Sequence, residues 1–180
     1  SIFDYSGLLP MVEDVEINSN ATVNQGTPDT MVLGVNSLGT GQSRILMEYD
    51  LSNIPWPSAM TPTQMMLRMY QPGVSGTSST TIAAYACSGF TESSVVWATA
   101  PACSPTEITR STLTLTNPFG WMEWDLTSLA QSNIANGNTT MTFMLAMVGS
   151  TGSSHSFYSS EYYDDCLLYT SPSPRDRTRS

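Results

Sequence analysis

Short segments in which apolar and mixed residues alternate recur along this chain, and the clearest of them runs from Arg44 to Pro55. Ile45, Met47 and Tyr49 alternate there with residues of mixed polarity. A period of two gives a strand one apolar face and one mixed face. The residues after Tyr49 include Asp, Ser, Asn and Pro, which favour a tight turn. We therefore expect a central strand that ends in a turn, with Met47 and Tyr49 in the core.

Other segments repeat this alternation, whereas helical periodicity is almost absent. We expect further strands at 12–18, 30–35, 65–70, 80–87, 109–116, 121–126, 141–147 and 157–161, and one short helix near 125–131. Many short strands at nearly regular spacing are typical of sandwiches and jelly rolls. The sequence therefore predicts an all-β fold, an antiparallel β-sandwich of jelly-roll type.

The composition limits the functions and partners that this chain can have. The 180 residues fit one domain. They include no lysine, and the net charge is −9, which disfavours nucleic acid as a partner because phosphate binding needs a basic patch. No apolar run reaches the roughly 18 residues of a membrane span, so no membrane insertion is expected. Abundant Ser, Thr, Asn and Gly favour an extracellular or cell-surface β domain.

The segment 166–180 differs sharply in composition from the rest of the chain. It resembles the translation of a transposase adapter from a sequencing library, and reverse translation of 166–176 reproduces such an adapter continuously. The alternative is a basic, Pro-rich disordered tail. We expect a non-native tail on a metagenomic fragment of a longer protein, without a visible signal peptide. Without this segment, 14 acids and three arginines leave a formal charge of −11.

Five motifs follow one another in a characteristic order. They are Gly41–Pro55, Met65–Tyr70, Phe90–Trp97, Gly120–Leu129 and Ser156–Glu161. Each motif is weak alone, but the ordered series resembles the DNRLRE domain family, which is related to a carbohydrate-binding module family and to repeats in archaeal disaggregatase proteins. The resemblance covers residues 12–165. Residues 1–11, of mixed apolar composition, are expected to be a lead-in or linker, and the resemblance implies that the domain lacks its last strand.

The resemblance also implies a function. Members of that family are non-catalytic jelly-roll domains of secreted or surface proteins, beside polysaccharide-degrading domains or in adhesins, and some bind acidic glycans such as alginate. We therefore expect a non-catalytic extracellular carbohydrate-binding or adhesion module with neighbouring domains and a polysaccharide as its partner. The alternatives are a structural repeat without a ligand and an accessory domain or fragment of a polysaccharide lyase or hydrolase.

Tryptophans are the aromatic side chains on which a sugar ring would stack. Trp56 lies between two prolines and Trp121 follows a turn, so both are expected to be exposed and are candidate ligand-binding residues. Alternation and motif position instead place Trp97 and Trp124 in the core. Packing remains the alternative role for the two candidates.

Arg44 and Arg68 are the candidate polar ligand-binding residues. Each lies on a predicted strand and points away from the Met-rich face, and the two strands are expected to pair. Arg44 could contact a ligand or Glu48. An acidic glycan fits poorly with so negative a chain unless arginines gather on one face or calcium bridges the charges.

Cys87 and Cys103 are expected to form a disulfide, as an even pair does in a secreted protein. The alternative is two buried thiols in a reducing compartment. His155 is the single histidine and lies among Gly and Ser residues, so a solvated loop position is expected. No nucleophile elbow supports a Ser/His/Asp triad, and no catalytic residue is predicted.

No cofactor or metal site is predicted. One His and two usable Cys are too few for a zinc site. Carboxylates near the two ends of the domain have the oxygen ligands that Ca²⁺ prefers, but solvated acids are the preferred interpretation. The residues concerned are Glu13, Asp14, Glu16, Glu161, Asp164 and Asp165.

Overall fold

The computed structural model of the chain describes residues 7–8, 11–26, 28–36, 38–52, 62–75, 80–113, 120–149, 152–159 and 166–172. The strands are β1 (Gly7–Leu8), β2 (Met11–Asn18), β3 (Thr30–Val35), β4 (Gln42–Asp50), β5 (Pro62–Gln71), β6 (Gly73–Ser75), β7 (Thr80–Ala86), β8 (Thr109–Leu113), β9 (Gly120–Asp125), β10 (Thr140–Val148), β11 (Ser153–Tyr158) and β12 (Cys166–Pro172). Helix α1 spans Thr127–Ala135, and a single 3₁₀ turn spans Trp97–Thr99. In these ranges no helix is long and apolar enough to cross a membrane.

The strands form two antiparallel sheets. The smaller sheet has the order β1-β12-β5-β9, and the larger has the order β6-β11-β3-β4-β10-β7-β8, with β2 also paired to β4. This confirms the predicted all-β sandwich of antiparallel strands. The predicted central strand is β4, which pairs with β2, β3 and β10.

The main core lies between the sheets and is filled by the apolar faces that alternation predicted. Met47 and Tyr49 are fully buried there, and Tyr49 stacks on Phe143 with ring centroids 6.1 Å apart. Trp124 is also fully buried, as predicted, and its Nε1 donates to the Ile82 carbonyl oxygen at 2.9 Å. Burying a side chain of this size stabilises the fold by about 1.5–3 kcal/mol.

A second apolar cluster, which the alternation did not predict, lies on the outer face of the larger sheet. It consists of Val15, Ile17, Leu46, Val95, Met144 and Ala146. Strand β10 is buried on both faces as a result, which is why its sequence is an almost continuous apolar run. Residues of the segment 87–104 pack against this outer cluster and shield it from solvent.

The expected pairing of the two arginine-bearing strands is wrong. Arg44 lies on β4 in the larger sheet, whereas Arg68 lies on β5, which pairs with β9 and β12 in the smaller sheet. The chain changes sheets between the two strands, so their shared alternation says nothing about whether they are neighbours.

Strand β12, which belongs to the segment expected to stand in place of the missing last strand, pairs with β5 and β1. Leu167 lies opposite Arg68, and Thr170 lies opposite Met65. This pairing does not test the origin of residues 166–180, which stays a prediction, as do the domain bounds.

Candidate functional site

A disulfide-closed loop covers part of the outer face of the larger sheet. The predicted bond between Cys87 and Cys103 is present. Backbone hydrogen bonds from Ser88 to the Ala102 oxygen and from Ser104 to the Ala86 oxygen, 2.9 and 2.8 Å long, hold the base of the loop together. The loop therefore begins and ends as a short antiparallel ladder.

The tip of this loop is fastened to the other side of the outer cluster. Glu92 Oε1 accepts a hydrogen bond from the Asp14 amide at 3.3 Å, and the Glu92 amide donates to Glu13 Oε1 at 3.1 Å. Asn24 Nδ2 donates to the carbonyl oxygens of Glu92 and Val95, both at 2.8 Å. Burial, together with repulsion from Asp14 and Glu13, raises the pKa of Glu92. The loop is thus anchored at both ends.

A groove of about 490 Å³ lies between this loop and the sheet. Its lining combines one charged, two aromatic and several apolar side chains, including Ile17, Arg44, Tyr85, Trp97, Pro101 and Met144. The strands β2, β4, β7 and β10 supply the floor, and the loop supplies the wall. We call this the Arg44 groove.

Arg44 is the charged residue of the groove, and its contacts are unusual for a cation. Its guanidinium carbon lies 4.7 Å from the centroid of the Trp97 ring. Its Nε donates to Gln42 Oε1 at 3.2 Å, and its Nη1 lies 3.9 Å from Met144 Sδ. Burial lowers the pKa of Arg44, although an arginine stays protonated.

No carboxylate among the described residues forms an ion pair with Arg44. The expected contact with Glu48 is not made, because Glu48 Oε1 instead accepts from Thr142 Oγ1 at 2.8 Å. The other two arginines of the described chain are paired, Arg68 with Glu123 and Arg110 with Glu107. A half-buried, positively charged guanidinium therefore faces an open groove, and no described carboxylate serves as its counter-ion.

Arg68 and Trp121 lie together on the outer face of the smaller sheet. The Arg68 guanidinium carbon is 4.9 Å from the Trp121 ring centroid, and its Nε lies 2.8 Å from Glu123 Oε1. Trp121 is 38% exposed, as expected, and Tyr70 meets it edge-on at 5.4 Å. The predicted ligand-binding residues are therefore divided between two faces of the sandwich, and Trp56 lies outside the described residues.

Trp97 was wrongly predicted to lie in the core. Val95 fills the apolar position next to the outer cluster, and Trp97 begins a 3₁₀ turn and remains partly exposed in the groove. Alternation and motif position suggested the core, but Trp97 lies in the loop between Cys87 and Cys103. The position of Trp97 between two disulfide-forming cysteines was the sequence signal for a different role.

His155 is also not where the sequence suggested. It lies on β11, is fully buried, and shares hydrogen bonds with Thr80 Oγ1 and Gln71 Oε1. Burial lowers its pKa to about 4. Neither partner is an acid, so the described surroundings of His155 do not form the Ser/His/Asp arrangement in which a carboxylate orients the imidazole.

The calcium hypothesis is not tested by the described residues. Glu16 Oε1 accepts a hydrogen bond from the Val32 amide at 2.7 Å, and burial raises its pKa. No cluster of three His, Cys, Asp or Glu side chains suited to a metal occurs among the residues with described positions. The carboxylates near the C-terminal end of the predicted domain, Glu161, Asp164 and Asp165, lie outside them.

Comparison with known proteins identifies the family. No curated protein matches the chain. The family model for carbohydrate-binding module family 96 matches residues 8–169, a range that ends inside β12 and includes the Arg44 groove and the Arg68 face. The narrower DNRLRE resemblance stays a prediction. Because this match covers most of the two sheets, the chain belongs to carbohydrate-binding module family 96.

Proposed function

We propose that this domain binds an acidic polysaccharide in the Arg44 groove and acts as a non-catalytic module of a secreted or surface protein. The observation that carries the proposal is the guanidinium of Arg44. It is half-buried, stacked on Trp97 and without an ion-pair partner among the described residues. A desolvated charge without a partner is costly for a fold, and a carboxylate from a ligand would supply that partner.

The groove supplies the remaining requirements of a uronate site. A guanidinium binds a carboxylate through two parallel N–H···O bonds, and Trp97 and Gln42 already restrict the orientation of Arg44. Tyr85 and Pro101 present apolar surface near the charge, against which the C–H face of a sugar ring can pack. Arg44 thus binds the carboxylate, while Tyr85 and Pro101 pack against the sugar ring.

The acidic surface of the domain does not exclude such a ligand. Repulsion between the net charge of −9 and a polyanion acts at long range, and physiological salt screens it beyond about 8 Å. The contact between Arg44 and a carboxylate is short and partly shielded from water, so salt weakens it less. We therefore expect binding to persist at physiological ionic strength.

The disulfide supports a location outside the cytosol, in a secreted or surface protein. A bond between Cys87 and Cys103 persists in oxidising compartments and is rare in the cytosol. A location outside the cell also matches the place where acidic structural polysaccharides occur. Adhesion through such a polysaccharide, or targeting of a neighbouring enzyme domain, follows from the same binding activity.

Isothermal titration calorimetry of the full chain with uronate oligosaccharides from alginate and polygalacturonate tests the proposal. Arg44→Gln should weaken binding at least about tenfold, the equivalent of 1.4 kcal/mol, while the matched variant Arg68→Gln changes it less than about twofold. Carboxyl-reduced oligosaccharides of the same length should not bind.

Three results would overturn the proposal. They are equal binding of the carboxyl-reduced ligand, an unchanged affinity of Arg44→Gln, and the absence of binding to any uronate ligand, which would favour a structural repeat. Release of reducing ends by the same chain would instead show an enzyme.

A further inference from the structure

Two of the three arginines in the described part of the chain place their Nε–H group against a carboxylate. Arg68 Nε lies 2.8 Å from Glu123 Oε1, and Arg110 Nε donates to Glu107 Oε1 and Oε2 at 3.2 and 2.9 Å. Such a carboxylate fixes the orientation of the guanidinium plane and also neutralises its charge. Both arginines are therefore oriented at the cost of their attraction for an anionic ligand.

Arg44 differs, because the acceptor at its Nε–H group is a neutral amide. Arg44 Nε donates to Gln42 Oε1 at 3.2 Å. Gln42 lies two residues before Arg44 on β4, so both side chains project from the same face of the strand. Since arginine is only a donor, the oxygen of the Gln42 amide must be the atom that faces it. Gln42 thus orients the guanidinium without cancelling its charge.

The backbone of Gln42 is fixed by its neighbours on adjacent segments. Its amide donates to Ser19 Oγ at 2.9 Å, and its carbonyl oxygen accepts from the Ser19 amide, also at 2.9 Å. Val35 on β3 is its partner in the strand register. Because the backbone is held in this way, the Gln42 side chain reaches Arg44 from a fixed starting point.

The bond to Gln42 also determines which edge of Arg44 a ligand can use. The Trp97 ring lies 4.7 Å from the guanidinium carbon and covers one face. Nη1 lies 3.9 Å from Met144 Sδ, which is a weak acceptor. Among the described residues, no oxygen atom accepts a hydrogen bond from Nη1 or Nη2. The edge formed by these two nitrogens is therefore the one that can bind both oxygens of a carboxylate.

We propose that Gln42 is the positioning residue of the Arg44 groove and that its neutrality determines whether the groove accepts an anionic sugar. The inference rests on the proposed function. A carboxylate at position 42 would keep the hydrogen bond to Nε but would neutralise Arg44, as Glu107 neutralises Arg110. An incoming uronate would then meet a guanidinium that already has a counter-ion. The amide keeps the orientation and leaves the charge for the ligand.

Isothermal titration calorimetry of Gln42→Glu in the full chain, with uronate oligosaccharides from alginate, tests the proposal. The affinity should fall at least about tenfold, because the ligand must compete with an internal carboxylate. The melting temperature should stay the same or rise, because a half-buried cation gains a counter-ion. Loss of structure would not produce a lower affinity without a lower melting temperature.

Two further variants separate the role of Gln42 from the effects of charge and shape. Gln64→Glu is the matched control, since Gln64 is exposed on β5 in the other sheet. It adds the same charge away from the groove and should change the affinity less than about twofold. Gln42→Met keeps the length of the side chain but removes the oxygen. It should weaken binding about threefold and should speed the exchange of the Arg44 Nε–H proton with water, as measured by NMR.

The positioning role fails on any of three results. They are an unchanged affinity in Gln42→Glu, an equal loss in Gln64→Glu, which would assign the effect to net charge, and an unchanged affinity in Gln42→Met, which decides the question if Gln42→Glu is destabilised. If Arg44→Gln abolishes binding in any of these cases, the proposed function stands without a role for Gln42. If Arg44→Gln binds normally, the proposed function fails and this inference fails with it.

Discussion

Among the described residues, two arginines stack on tryptophans, one arginine from each sheet, and the two pairs differ in whether a carboxylate also contacts the arginine. Arg44 lies 4.7 Å from the Trp97 ring centroid and Arg68 lies 4.9 Å from that of Trp121. Arg68 also has a carboxylate, Glu123, on the neighbouring strand. Arg44 has none among the described residues and lies in a groove.

Strand register explains the difference. In β9, Glu123 lies directly opposite Arg68, and opposite charges at paired positions attract. In β2, Ile17 lies opposite Arg44, so β2 presents an apolar side chain where β9 presents an acid. The comparison indicates that a cation becomes a candidate binding group when its cross-strand neighbours leave it without a partner.

Removing the disulfide should have the largest effect, and it should affect the two pairs differently. In Cys87→Ser with Cys103→Ser, loss of a cross-link between residues 16 apart should lower the free energy of unfolding by about 3 kcal/mol. The groove wall should loosen, so uronate affinity should fall, while the Arg68 face stays intact. Urea unfolding and calorimetry measure both effects. Unchanged uronate affinity in the folded double variant would show that the loop does not form the site.

Acidification should lower the free energy of unfolding through the buried His155. The pKa of His155 is lowered to about 4 from 6.5, so the folded state resists protonation while the unfolded state accepts it. This contribution to stability is present above pH 6.5 and is lost as the pH falls towards 4, by up to about 3 kcal/mol. The His155→Gln variant, measured by urea unfolding at several pH values, should lack that part of the dependence. Identical pH profiles for variant and parent would contradict a buried neutral histidine.

Truncating the two tryptophans separates the pairs by function. Trp97→Ala should weaken uronate binding about tenfold, because Arg44 loses the ring that orients it and the groove loses apolar surface. Trp121→Ala should change the affinity less than about twofold. Calorimetry at constant salt measures both variants. A larger loss in Trp121→Ala would assign binding to the Arg68 face.

Removing the carboxylate beside Arg68 should have the smallest effect. Glu123→Gln breaks the ion pair of Arg68 and leaves the Arg44 groove intact, so it should change the uronate affinity less than about twofold. Glu107→Gln, which breaks the ion pair of Arg110, is the matched control, and calorimetry measures both variants. A clearly larger change in Glu123→Gln than in Glu107→Gln would assign part of the binding to the Arg68 face.

The fold was accessible from the sequence because alternation is local. The period of two in β4 and β5 identified the inward faces correctly, and Met47 and Trp124 are buried as expected. The site was less accessible, since it depends on which strands become neighbours. Nothing near Arg44 in the sequence indicates that Ile17 lies opposite it, and nothing near Arg68 indicates Glu123.

Tertiary burial also overrode local composition. The serines around His155 suggested a solvated loop, yet alternation along β11 places His155 beside Gln71 and Thr80 in the interior. The outer apolar cluster forms part of the groove floor and accounts for the continuous apolar run of β10. The sequence did not indicate this cluster, because it depends on how the loop 87–104 packs on the sheet.

The most direct test of the central claim is a two-dimensional ¹H–¹⁵N NMR titration with a trimeric uronate that monitors tryptophan indole and arginine Nε signals. Assignments follow from Trp97→Phe, Trp121→Phe, Arg44→Gln and Arg68→Gln. We expect the Trp97 and Arg44 signals to shift on binding while those of Trp121 and Arg68 stay in place. Shifts confined to Trp121 and Arg68 would contradict the assignment of the site to the Arg44 groove.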